Sequence, residues 1–174
     1  PTTGATLVQH GLAMSLDGIS VLNDLAGGVT VTLEDDFSAA DPAMTKGATL
    51  TLQGDQAEIF VRRRMDIGEG TNEARMVRQE EYLAQLSAQL ESRVQQDQQF
   101  TAQVYDALQP YLVTDLAKGQ LVNEVWAAKD DTVEPAIALE GEHKVAEDGF
   151  TEFYPTEASV QKAVLTLFWE PVEE

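Results

Sequence analysis

The sequence predicts an α/β fold, and three observations carry that prediction. Two short runs alternate apolar or β-branched residues, Val29–Leu33 (VTVTL) and Ala48–Leu52 (ATLTL), which is the pattern of a half-buried strand. Before and after them lie longer stretches whose apolar residues recur every three to four positions, the spacing of an amphipathic helix. A 174-residue chain that is 43% hydrophobic can bury the core such a mixture needs. With no repeat and no low-complexity tract, residues 1–174 read as one domain, an α/β sandwich on a mixed sheet.

Taken in order, Pro1–His10 is a Thr/Gly-rich lead-in. Ile19, Leu22 and Leu25 space a helix over Asp17–Leu25 that Gly27-Gly28 stops. The first strand runs into Glu34-Asp35-Asp36, read as a solvated acidic loop, and Pro42 marks a loop over Ala39–Lys46. After the second strand, Asp55 can cap a short helix over Gln56–Val61, or the same residues extend. The extended form is favoured for Arg62–Arg64, because it puts Arg62 and Arg64 on one face. Gly68 and Gly70 make Asp66–Thr71 a loop. Asn72 then caps a helix reaching about Arg93, with Met76, Leu83, Leu86, Leu90 and Val94 as its buried stripe. Gln95–Gln99 is a polar joint, followed by a helical stripe of Phe100, Val104, Leu108 and Leu112 that breaks around Pro110. Thr114 or Asp115 caps a helix carrying Leu116, Leu121, Val125 and Trp126, the last read as core. Ile137–Leu139 and Phe150–Tyr154 are short strands around a Gly141-Glu142-His143 turn. Thr156 caps a final helix that Pro171 ends before a Glu173-Glu174 tail.

Charge narrows the function. With 30 Asp+Glu against 11 Lys+Arg the formal net charge is −19, which argues against nucleic acid and against adsorption to anionic lipid heads. The absence of cysteine removes disulfides, thiolate nucleophiles and zinc–thiolate sites. His10 and His143 stand far apart without a metal-ligand spacing, and no nucleophile elbow, P-loop or GxGxxG is present. One segment breaks the acidic rule. Arg62, Arg63, Arg64, Arg75 and Arg78 fall within Phe60–Gln79, and Arg93 is the only other arginine. Guanidinium forks fit phosphate oxygens two at a time, and crowded cations repel unless an anion sits among them. Arg75, Arg78 and Gln79 lie at i, i+3 and i+4 near a helix start, itself a favourable place for an anion. These residues therefore predict a phosphate or pyrophosphate site. The competing reading pairs the arginines with Asp66, Glu69, Glu73, Glu80 and Glu81.

The order Leu22-Asn23-Asp24, Gly27-Gly28-Val29-Thr30-Val31, Gly47, Leu52, Gly54, Gln56-Ala57, Val61-Arg62, Arg64, Arg75 and Arg78-Gln79 resembles the LytR-CpsA-Psr family, the cell envelope-related transcriptional attenuator domain. The resemblance extends to the C-terminal GFTEFYPTEASVQKAVLTLFWEPV. It implies an α/β/α sandwich with a hydrophobic tunnel for a polyprenyl chain. It also implies a membrane-anchored phosphotransferase acting outside the cell, with an N-terminal transmembrane anchor that is not in this chain. Such an enzyme moves wall teichoic acid, capsular or similar glycopolymers from undecaprenyl pyrophosphate to peptidoglycan. Arg62, Arg64, Arg75 and Gln79 match the family's pyrophosphate set, with Arg62, Arg64 and Arg75 the implied catalytic residues. Arg78 matches the basic residue before the glutamine, and Arg63 falls where the family varies. Asn72 stands where many members carry aspartate. The Mg²⁺-binding aspartates belong to a part of the domain upstream of Pro1, so the chain reads as the C-terminal portion of a longer domain. Short of catalysis, the residues also fit a module that binds a polyprenyl phosphate or wall polymer without turning it over.

Overall fold

A computed structural model describes residues 10–131 and 137–169, which fall into two compact units. The α/β class holds in both. The larger unit runs β1 (Leu12–Met14), α1 (Gly18–Ala26), β2 (Thr30–Thr32), β3 (Thr49–Thr51), α2 (Asp55–Arg62) and α3 (Asn72–Gln96). It continues through α4 (Phe100–Leu108), a 3-10 turn (Gln109–Tyr111), β4 (Leu112–Thr114) and α5 (Lys118–Ala127). The strands pair as antiparallel two-stranded ladders. β2 lies on β3 with Val31 opposite Leu50, and β1 lies on β4 with Ala13 opposite Val113.

Alternation explains the β2–β3 ladder. Val31 points into the core, while Thr30–Thr51 and Thr32–Thr49 bond hydroxyl to hydroxyl at 2.8 Å on the outer face. The core gathers Val29, Val31, Leu33, Phe37, Met44, Leu52, Phe60, Ile67, Tyr82 and Leu86, with the Phe37 and Phe60 rings 5.9 Å apart. One polar side chain is fully buried among them. Asn23 donates through Nδ2 to the Leu52 carbonyl at 2.7 Å and to Asp24 Oδ1 at 3.1 Å. Its Oδ1 accepts from the Val29 amide at 3.1 Å and the Tyr82 hydroxyl at 3.2 Å. This single residue ties α1, β2, β3 and α3 together, and satisfies backbone groups that would otherwise be orphaned where α1 turns into β2. At that turn Gly27 takes φ 102° and Gly28 φ 84°. A Cβ on Gly28 would lie 2.7 Å from the Leu52 carbonyl oxygen, so the backbones meet where no side chain fits.

The smaller unit holds β5 (Gly141–Val145), β6 (Thr151–Pro155) and α6 (Glu157–Phe168). The two strands form a hairpin with His143 opposite Phe153, their rings 5.1 Å apart. Thr156 caps α6 by accepting from the Ser159 amide, as the sequence predicts.

Several boundaries differ from the expectation. Thr71, not Asn72, caps α3: its extended backbone lets Oγ1 accept from the Ala74 amide at 3.1 Å. Ala117 opens α5, because Asp115 turns away to bond His10 and the Gly11 amide, and Thr114 belongs to β4. Neither β1 nor β4 has an alternating pattern long enough to read. The first strand of the hairpin is Gly141–Val145, where a turn was expected, and Ile137–Leu139 is not a strand. Trp126 is half-buried on α5, its ring 5.5 Å from Lys129 Nζ, and does not join the core. On α3 the buried residues are Tyr82, Leu86 and Val94, while Met76 and Leu83 are 43% and 57% exposed. The N-terminal half of the inward face is polar, so the apolar residues there do not mark it. The expected Pro171 stop, the acidic tail and residues 1–9 of the lead-in lie outside the described residues.

Candidate functional site

The arginine segment folds as the end of one helix, a loop and the start of the next. α2 runs through Arg62, so the extended form expected for Arg62–Arg64 begins one residue later, at Arg63 (φ −69°, ψ 133°). Asp55 and Glu58 in the first turn and Arg62 in the last suit the helix dipole, and that favours continuing the helix. Arg62 and Arg64 still face common space. With Arg63, Asp55, Glu58, Ile59 and Met65 they line an open hollow of about 550 Å³. Arg64 also borders an adjoining hollow of about 280 Å³ formed by residues 64–70. Arg63, which the resemblance leaves out, lines the same hollow as its neighbours, and only the fold places it there.

The helix-start residues turn inward, beneath this loop. Gln79 Nε2 donates to the Val61 carbonyl at 2.9 Å, and Arg78 Nη2 donates to the Arg63 carbonyl at 2.6 Å. Arg78 lies with its Cζ 5.0 Å from the centroid of the buried Phe37 ring. Burial pushes the Arg78 pKa down; the nearby Asp35 carboxylate opposes that, and Arg75 adds to it. Arg75 Nη2 donates to Asn72 Oδ1 at 2.6 Å, so Asn72 orients an arginine. Arg75 Nε and both Nε and Nη1 of Arg78 are buried without a hydrogen-bond partner. The fold thus divides the predicted set. Arg62 and Arg64 reach the open hollow, whereas Arg75, Arg78 and Gln79 stand behind it on α3.

Neutralisation by nearby acids does not occur as the competing reading expects. Among the described residues Arg62 alone of the five has a carboxylate within 4.0 Å, Glu58 Oε1 at 2.7 Å, and Glu58 is not one of the five acids that reading named. No group of three or more His, Asp or Glu among the described residues could hold a metal ion. Elsewhere in the larger unit an apolar cleft of about 280 Å³ is lined by Leu22, Leu90, Val94, Phe100, Leu108 and Leu121, with others. Along α3 it lies about 20 Å from the arginines at 1.5 Å per residue.

The LytR_cpsA_psr family model matches residues 8–167. The chain belongs to the LytR_cpsA_psr family. No curated protein matches. Solved structures similar to this member of the family include protein gbs0355 from Streptococcus agalactiae, at 21% identity and TM-score 0.73, covering 91% of this chain and 57% of that one. TagT, solved bound to LI-WTA, is 17% identical with a TM-score of 0.65, covering 91% and 59%. B. subtilis TagV is 16% identical with a TM-score of 0.61, covering 92% and 63%. At these identities the likeness establishes the fold, and the chain spans about 57% of the length of the S. agalactiae protein.

Proposed function

We propose that the protein carrying this chain is a phosphotransferase that attaches a glycopolymer, such as wall teichoic acid or capsular polysaccharide, to peptidoglycan. The donor is the undecaprenyl-pyrophosphate-linked polymer, and this chain supplies the arginine grip on the pyrophosphate. The observation that carries the reading is that Arg63 and Arg64 on the loop after α2, and Arg75 at the start of α3, have no carboxylate partner within 4.0 Å among the described residues, in a chain whose net charge is −19. Cations that share one hollow without full neutralisation favour an anion there. Family membership and the likeness to TagT, solved with LI-WTA, support the choice of polymer.

In this reaction an acceptor hydroxyl oxygen bonds to the polymer-side phosphorus. The bond from that phosphorus to the bridging oxygen breaks, the hydroxyl proton is released, and undecaprenyl phosphate leaves. Negative charge grows on the leaving phosphate, and preorganised guanidiniums lower the barrier by stabilising it there. Arg62 and Arg64 hold the pyrophosphate from the open hollow, with Arg75 adding charge from behind. The apolar cleft suits part of the carrier's hydrocarbon. Magnesium would add Lewis-acid charge neutralisation when bound; the described residues offer no ligand cluster for it. The working place is the extracellular face of the membrane, held by an anchor outside this chain; among the described residues no helix is long and apolar enough to cross a membrane.

The double variant Arg62→Ala/Arg64→Ala tests this. Both side chains are exposed and the one ion pair lost is an exposed i,i+4 pair, so thermal stability should move little. Native mass spectrometry should show a co-purified polyprenyl pyrophosphate in the parent protein and none in the variant, with transfer abolished. Retained transfer in the double variant overturns the assignment.

A further inference from the structure

We infer that Arg78 is a positioning residue: it fastens the loop carrying Arg62–Arg64 to α3 and does not itself hold the pyrophosphate. The inference rests on the function proposed above and revises the phosphate-binding role that the spacing of Arg75, Arg78 and Gln79 predicts for this arginine. Three observations carry it. The Arg78 Nη2 donor is already committed to the Arg63 carbonyl at 2.6 Å, and Nε and Nη1 are buried away from solvent. The guanidinium packs over Phe37, a core ring, and does not line the hollow that Arg62, Arg63 and Arg64 share. The group it captures is the carbonyl of the peptide that joins Arg63 to Arg64. Fixing that peptide plane places the Arg64 Cα and leaves only the Arg64 φ to set where its side chain leaves the backbone.

The loop is held at further points. Gln79 grips the Val61 carbonyl two residues earlier, and Ile67 is buried in the core. Gly68 packs so closely on Asp35 that a Cβ there would come within 2.3 Å of its Oδ1. Asp35 also supplies the negative charge that helps keep a half-buried Arg78 ionised. Without the Arg78 bond, residues 63–66 would keep no described side-chain tie to α3, and the arginines facing the hollow would sample many directions.

The experiment is limited trypsin digestion of the full 174-residue chain, with cleavage after Arg63 and Arg64 followed by mass spectrometry. Arg78→Met keeps the apolar stem over Phe37 and removes the donors. It should speed cleavage at these two bonds by about tenfold, as expected for losing a charge-assisted bond that holds a loop shut. Arg75→Met, a neighbouring arginine without a bond to the loop, should leave that rate unchanged. Inorganic pyrophosphate should bind Arg78→Met about tenfold more weakly, and at saturation should restore slow cleavage. If cleavage in ligand-free Arg78→Met equals that of the parent chain, the positioning role is overturned. A parent chain that ignores pyrophosphate refutes the anion site, while the ligand-free digestion still decides the clamp. Circular dichroism identifies an unfolded variant, in which case Arg78→Lys, retaining one donor, is read by the same digestion.

Discussion

Asn23→Ala should be the most damaging polar substitution in the larger unit. The side chain is fully buried, and its removal strands three partners in the core: the Leu52 carbonyl, the Val29 amide and the Tyr82 hydroxyl. A buried polar group left without a partner costs about 1–3 kcal/mol. The tyrosine hydroxyl can rotate and recover part of its share, so the sum comes to about 3–5 kcal/mol. Against a domain stability of about 5–15 kcal/mol this is a large fraction. Urea unfolding followed by circular dichroism reads it directly. With a slope of about 2 kcal/mol per molar, the midpoint should fall by about 1.5–2.5 M. Tyr82→Phe removes only one of the four bonds and should cost about 1 kcal/mol. A loss below about 1 kcal/mol in Asn23→Ala would refute the reasoning, since it would mean that these groups find other partners and that the asparagine is not the junction of α1, β2, β3 and α3.

Other consequences follow from the same packing. Burial, with a smaller contribution from Asp24, pushes the Tyr82 hydroxyl up to about 12. The folded state therefore keeps a proton that the unfolded chain releases near its ordinary pKa of about 10, and stability should fall by about 2–3 kcal/mol as pH rises from about 10 to 12. Tyr82→Phe should remove that component of an alkaline unfolding series. Gly28→Ala sets a Cβ against the Leu52 carbonyl at positive φ and should cost about 2–4 kcal/mol. Gly119→Ala meets open space in α5 and should gain up to about 1 kcal/mol, so the two melting temperatures should move in opposite directions. The hydrogen bond to Asp115 raises the His10 pKa. The stabilisation it gives is present below the ordinary histidine range and lost as pH rises through the raised value, and an NMR titration of His10 should move down in Asp115→Asn. A midpoint unchanged in that variant would refute the pairing.

Much of the chain was legible because its signals are local. The αL glycine after α1, the Thr-alternating strands β2 and β3, the cap at Thr156 and the density of arginine in Phe60–Gln79 each depend on neighbours in sequence. Even the extent of α2 lay within the alternatives that local spacing allowed. On α3 the expected stripe holds at Leu86, Leu90 and Val94 and fails at Met76 and Leu83. The helix's inward face near the start meets the Val61 carbonyl in the last turn of α2 and the Arg63 carbonyl just beyond it, so it carries Arg78 and Gln79, and the apolar Met76 and Leu83 turn outward. A hydrophobic pattern cannot mark a face whose partners are peptide groups.

By itself the sequence determined the α/β class, the family and the place of the arginines along the chain. Periodicity and residue chemistry act over a few residues and need no partner to be read. Only the tertiary structure decided that Arg62, Arg63 and Arg64 line an open hollow while Arg78 bonds the Arg63 carbonyl from α3. It also decided that Leu12–Met14 pairs with Leu112–Thr114 a hundred residues away, and that Asn23 sits at the centre of the core. Those outcomes depend on which distant backbone groups need a partner, and that need arises only once the elements have packed.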